Sequence, residues 1–220
     1  MKQLVAAVVL AGSAAVAEVQ PFHANVGVSA QVFSSRGYDL VDADDHLHAL
    51  RFAVGTTFSL RVLQLDLEAG VTTGGTDVWA HQRLSAGLAL AGLDLSATAR
   101  FPVLSWLHPY VRVGAGYDWA TLTLTNGATR LGQTAGVVSG LAGAGVQFSV
   151  RMTRQHQRGV SLFFDVGAGG VLRPGVTFAA LAPSAPVGPQ ADPLGQRGSV
   201  DVGTLPLSGL TWRAMLGVRF

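Results

Sequence analysis

LTWRAMLGVRF, residues 210–220, alternates without a break. Leu210, Trp212, Ala214, Leu216, Val218 and Phe220 fall on one side; Thr211, Arg213, Met215, Gly217 and Arg219 fall on the other. A period of two is the signature of a strand, because successive Cβ atoms point to opposite faces of a sheet. Wound as a helix, the same apolar positions would scatter around the axis. The stretch is therefore a β-strand with one greasy face and one mixed face. The reading of the fold turns on whether the rest of the chain repeats it, and on which face meets what.

The repeat runs upstream through most of the chain. Phe22, Ala24, Val26, Val28, Ala30 and Val32 alternate with His23, Asn25, Gly27, Ser29 and Gln31. A second strand sets Leu50, Phe52, Val54, Phe58 and Leu60 against Arg51, Gly55, Thr57 and Ser59, and reverses near Arg61. A third sets Leu63, Leu65, Leu67, Ala69 and Val71 against Gln64, Asp66, Glu68 and Gly70. A fourth, from about Trp79 to Phe101, slips phase by one residue at Ala91-Gly92, as a β-bulge does; a hairpin there is the alternative. The fifth carries Val111, Val113, Ala115, Tyr117 and Trp119, the sixth covers about Thr134 to Met152, and the seventh begins at Val160. The expected fold is all-β: a closed, antiparallel, up-and-down barrel of about eight strands. Ser34–His46, Thr73–Trp79, Thr125–Gln133 and the six-proline stretch Pro174–Ser208 read as loops at one end, with shorter turns near Arg61, Pro102–Pro109 and Thr153–Arg158 at the other.

Composition narrows the setting. The chain of 220 residues is 49% hydrophobic and only 13% charged, against about 25% charged in an ordinary soluble domain. Past the N-terminus no run reaches the roughly 20 apolar residues of a membrane helix, so the greasiness belongs to strands. There are no cysteines, which excludes disulfides and thiolate metal sites. The net charge is +2, and the only lysine is Lys2; that balance does not point to nucleic acid. Met1 to Ala17 has the layout of a secretory signal: Lys2, an apolar run from Leu4, and Ala15-Val16-Ala17 as the cleavage site before Glu18. The expected organisation is a cleaved leader, 1–17, and a barrel domain, 18–220, with a long Pro-rich external loop at about 174–208.

Four features turn the apolar face outward into lipid. The mixed face carries charges of both signs among many glycines, which suits a narrow interior better than an exposed sheet. Loop lengths alternate between the two ends. Phe22, Phe58, Trp79, Trp106, Tyr117, Trp119 and Trp212 fall near expected strand ends, as interfacial girdles do. The last strand ends on an aromatic, Phe220.

With those residues in place, the mature chain resembles the small bacterial outer-membrane β-barrels of the OmpA and OmpX type. Gly217-Val218-Arg219-Phe220 resembles their terminal recognition strand, and His108 to Tyr117 is similar to a segment common in such barrels. The resemblance implies export through the periplasm to the outer membrane of a Gram-negative-type bacterium. It implies contact with outer-membrane lipid and lipopolysaccharide, and recognition of Leu216, Val218 and Phe220 by the barrel-assembly machinery. A peptidoglycan-binding domain after the barrel is not part of the expected organisation, so that role is not carried over.

An eight-stranded barrel is just wide enough for side chains to fill it. The expected filling is a charge network of Arg51, Asp66, Glu68, Arg83, Arg112, Asp118, Asp165 and Arg213, since buried charges must be paired. The expectation is a monomeric structural or surface-interaction protein with a plugged lumen, no catalytic residues, no cofactor and no nucleic-acid partner. The alternatives are a small gated, porin-like pore and a lipid A-modifying enzyme. The latter needs a His, a Ser and an acid near the outer face, and no such pairing stands out among His23, His46, His48, His81, His108 and His156. His46 and His48 with Asp44 or Asp45 have the donor types for a divalent metal, at an undistinguished spacing.

Overall fold

The structure, a computed structural model of the chain, describes residues 18–33, 46–60, 62–81, 84–126, 129–152, 160–181 and 201–220. The expected leader, the acidic stretch from Ser34 to Asp45, Arg83, the turn containing His156 and residues 182–200 lie outside them. Among the described residues ten strands follow one another: β1 (Glu18–Phe33), β2 (His46–Ser59), β3 (Gln64–His81), β4 (Leu84–Arg100), β5 (Leu107–Asn126), β6 (Thr129–Arg151), β7 (Ser161–Leu172), the two-residue β8 (Val176–Thr177) and β9 (Thr204–Leu205), and β10 (Gly209–Arg219). Eight of them close a barrel in the order β1-β10-β7-β6-β5-β4-β3-β2, every pair antiparallel; β8 and β9 pair separately within the last long connection. Closure comes from β1 on β10, with Val28 opposite Ala214 and Ala24 opposite Val218. It leaves no open edge along the shared height of the wall, the condition for backbone to lie in hydrocarbon.

The apolar faces point out. Val28, Leu95, Val113 and Leu216 are more than half exposed, while Arg112 and Asp165, on the opposite face, are buried. From Leu210 to Phe220 the outward face of β10 climbs ten residues; at about 3.4 Å each and a tilt near 40° that is roughly 26 Å, the height of the apolar band of such barrels. Phe22, Phe101, Trp106 and Phe148 are exposed at one rim, with Trp106 stacked on Phe148 at 6.1 Å. Tyr117, Trp119 and Trp212 mark the other, Tyr117 and Trp119 meeting edge to face at 5.1 Å.

Three sequence expectations are corrected. Thr73–Asp77 is not a loop: it continues β3 and pairs in unbroken register with Ala91 to Gly87 of β4. Trp79 therefore belongs to β3, and β4 begins at Leu84. Thr125–Gln133 is likewise mostly strand, so the β3–β4 and β5–β6 connections shrink to 82–83 and 127–128. The contrast in length between the two ends rests on the β1–β2 and β7–β10 connections alone.

The third correction explains the other two. No bulge exists at Ala91-Gly92; Leu90, Gly92 and Asp94 follow one another on the inner face, paired continuously with Ala120, Asp118 and Gly116 of β5. What slips there is polarity, not register. Along β5, Val111, Val113, Tyr117 and Trp119 face out and Arg112 and Asp118 face in; one turn of the pleat later, Thr121, Thr123 and Thr125 face out and Ala120, Leu122 and Leu124 face in. On β3 and β6 the outward positions beyond the same level are Thr73, Gly75, Asp77, Arg130, Gly132 and Thr134. Below this level the barrel is inside-out, as lipid demands. Above it the barrel is built like a soluble one, with a core of Leu88, Leu122, Leu131 and Phe33. Val176, Phe178, Leu181, Leu205 and Leu207, from the connection that read as an aperiodic Pro-rich loop, complete that core.

Candidate functional site: the barrel lumen

The lumen has a polar floor and an apolar roof. On the floor, β2, β3 and β4 project Arg51, Glu68 and Asp94 from adjacent strands into one layer. Arg51 donates from Nε and Nη2 to both oxygens of Asp94, at 3.0 and 2.6 Å, and from Nη1 to Glu68 at 3.3 Å. That two-pronged fit is the strong form of the ion pair, since guanidinium and carboxylate match as planes. Arg112 of β5 donates to Ser96 at 2.7 Å and to Asp94 at 3.3 Å. Asn25 of β1 donates to Glu68 at 3.0 Å, and His23 Nε2 lies 3.2 Å from the same oxygen. Gly70 makes the layer possible: a Cβ there would stand 2.6 Å from Arg51 Nη2 and 2.8 Å from Asp94.

Nearer the chain termini, Arg100 is fully buried and donates to Asp66 and to Gln147 at 2.5 Å each, while Thr57 donates to Asp66 at 2.6 Å. Across the lumen, Tyr110 donates its hydroxyl to Asp165 at 2.8 Å, and Arg213 reaches the other oxygen at 3.2 Å with its guanidinium 5.2 Å over the tyrosine ring. Tyr110 occupies space left by Gly145 and Gly167, where a Cβ would collide with its hydroxyl.

Floor and roof are joined by Arg173, the first residue after β7. Its Nε donates to Asp118 at 2.7 Å, and Nη1 donates to Gln31 at 2.6 Å and to the Leu207 carbonyl at 3.3 Å. Gln31 donates to that same carbonyl at 2.9 Å. Ser208 closes the loop base, accepting from the Arg173 amide at 2.9 Å and donating to its carbonyl at 2.8 Å. Between floor and roof lies a cavity of about 140 Å³, with Arg51, Arg112, Arg173 and Arg213 on its polar side and Gly143, Gly167 and Gly169 on the other.

The structure brings seven of the eight expected network residues into the lumen; Arg83 lies outside the described residues. They do not form a single web with one another: Asp118 is held by Arg173 and Asp66 by Arg100, neither singled out from the sequence. Asp94 and Arg100 were legible. Continuing the even positions from Leu88 straight through Gly92 puts Asp94, Ser96, Thr98 and Arg100 on the inner face. Arg173 had no such signal, since nothing local says that a residue after a strand folds back into the mouth. Leu216, Val218 and Phe220 line the outer face of β10. His46 and His48 are exposed on the outside of β2, their rings near parallel at 6.5 Å. Asp44 and Asp45 are outside the described residues, and no group of three metal-donor side chains gathers among those described. His108 Nδ1 lies 3.4 Å from Ser149 Oγ at the end bearing the termini, away from the face the enzymatic alternative requires.

These features define the class: a closed eight-stranded antiparallel barrel, apolar outside at mid-height, charge-filled inside, and capped by its own last long connection. No protein-family model matches the chain, and no curated protein sequence does. Among solved structures it is similar to Neisserial surface protein A, at 13% identity and a TM-score of 0.46 over 92% of this chain and 97% of that one. It is also similar to Ail, the attachment invasion locus protein of Yersinia pestis, at 10% identity and 0.43 over 92% and 98%. The N-terminal barrel domain of Pseudomonas aeruginosa OprF follows at 16% identity and 0.36 over 92% and 98%.

Proposed function

We propose that the chain is a closed, non-conducting barrel of the bacterial outer membrane, serving a structural or surface-interaction role through the connections at its capped end. The observation that carries this reading is the reversal of polarity along β5: Val111, Val113 and Trp119 outward and Arg112 inward below, Thr121 and Thr123 outward and Leu122 inward above. Only a slab of hydrocarbon around the lower part rationalises the first arrangement, and only water around the upper part rationalises the second. The outer leaflet, with its lipopolysaccharide, then meets the Tyr117–Trp119 girdle, and the capped end stands outside. Contacts with partners would be made there, because a rigid barrel holds its connections in place. Leu216, Val218 and Phe220, aligned on the outside of β10, support their reading as the strand offered to the assembly machinery.

Paired charges below and the Arg173-held roof above support a plugged lumen rather than a pore, and the role proposed is not enzymatic. Two measurements test this. A sample refolded in octyl glucoside should migrate differently on a gel when boiled and unboiled, as a hydrogen-bonded closed barrel does. In planar bilayers the same sample should show no stable ohmic steps; a reproducible unitary conductance overturns the plug.

A further inference from the structure

Arg51, Arg100, Arg112, Arg173 and Arg213 each lie within 3.3 Å of a carboxylate oxygen of Asp66, Asp94, Asp118 or Asp165. Glu68 serves Arg51 and Arg112 as a second partner. One lumenal cation among the described residues stands outside this matching. Arg219, inward on β10 and opposite His23 of β1, has its Nε and Nη2 buried with no hydrogen-bond partner. Its guanidinium sits 5.3 Å over the ring of Phe163. That contact holds the group in place but satisfies none of its N–H donors. Arg100, on β4, likewise has its Nε buried and unbonded. Its Nη2 and the Thr57 hydroxyl both donate to Asp66 Oδ1, and the Nε and Nη2 of Arg219 bond to neither oxygen of that carboxylate.

Buried guanidinium N–H donors left without an acceptor are costly, and here the unbonded edge is the one that binds oxyanions. Nε and one Nη present two parallel donors at the spacing of two oxygens on one carboxylate or phosphate. We propose that the barrel mouth bearing the chain termini holds an oxyanion group, a phosphate or a carboxylate, seated on the Nε–Nη2 edge of Arg219. The site serves a ligand from that side of the membrane, separate from the roof and the cavity at the other end of the lumen. Phe163 fixes the plane of the seat. The Phe220 amide, bonded to the Phe22 carbonyl at 3.1 Å, fixes the strand end that carries it.

The test uses the whole refolded protein in octyl glucoside, which carries no phosphate, with chloride holding the ionic strength constant. Inorganic phosphate and acetate are titrated separately while the arginine Nε–H resonances are followed by NMR. The expected result is a saturable shift of the Arg219 resonance with at least one of the two, absent in Arg219→Gln. In Arg219→Lys, which keeps charge but loses the two-donor edge, affinity should be weaker on the order of tenfold. Unfolding midpoints with and without the anion give a second readout: the wild type should rise and Arg219→Gln should not. A shift that appears only in bilayer discs containing phosphatidylglycerol assigns the oxyanion to a lipid headgroup and not to a free ion. No saturable shift in any of the three conditions, or the same stabilisation in Arg219→Gln as in the wild type, overturns the proposal.

Discussion

Arg100 shows how this chain manages charge at the scale of single residues. It is 0% exposed, yet two of its nitrogens find acceptors in Asp66 and Gln147, and Asp66 takes a further bond from Thr57. Desolvating such a pair is offset only when the geometry and the extra hydrogen bonds are good, and breaking one half leaves an unscreened charge, at about 3–5 kcal/mol. Asp66→Ala should therefore lower unfolding stability in urea by about that amount, followed by tryptophan fluorescence. The double variant Asp66→Leu with Arg100→Met should recover most of the loss; equal loss in both would mean that the pair acts through something other than charge matching. The inner position of Asp66 and Arg112 was legible from alternation alone. Asp94 and Arg100 become legible only when the even positions of β4 are carried straight through Gly92, because the hydrophobic residues of that strand change sides there.

At the scale of elements, the connection between β7 and β10 departs furthest from its appearance in the sequence. Six prolines and little periodicity read as a free loop, but its described ends bury Phe178, Leu181 and Leu207 to 2% or less exposure. They are tied to the wall by Arg173. Arg173→Ala removes bonds to Asp118, Gln31 and the Leu207 carbonyl. It should raise the rate of proteolytic cutting within 173–208 and speed hydrogen exchange of the Phe178 amide, bonded to Gly203 at 3.2 Å, while exchange in β5 stays unchanged. Protection unaltered at Phe178 would show that the apolar contacts hold the roof unaided. The wall strands offer a second test, of where hydrocarbon ends. Leu95→Arg, in the outward band, should cost about 2–4 kcal/mol, and Thr123→Arg, beyond the girdle, less than about 1 kcal/mol. Equal costs, measured by urea unfolding in lipid vesicles, would remove the boundary drawn at Trp119.

At the scale of the whole molecule, the barrel combines two solvent arrangements in one continuous wall. The lower part resembles a protein turned inside out, with charges within and aliphatics without; the upper part is conventional, with an apolar core under a threonine-rich skin. A single register runs through both, since β4 and β5 pair without interruption from Leu84–Asn126 to Arg100–Tyr110. Read locally, a change of solvent looks like a change of register, and that is why Ala91-Gly92 suggested a bulge. Alternation by itself determined that most of the chain is strand and that each strand carries one greasy and one mixed face. Each of these follows from the period of two and the length of the runs. Which arginine meets which carboxylate, that the described ends of the last long connection become the roof, and that Arg219 Nε and Nη2 find no hydrogen-bond partner among the described residues were decided only by the tertiary structure. Closing the sheet into a ring sets side by side residues that are far apart in the chain, and no local pattern records which ones will meet.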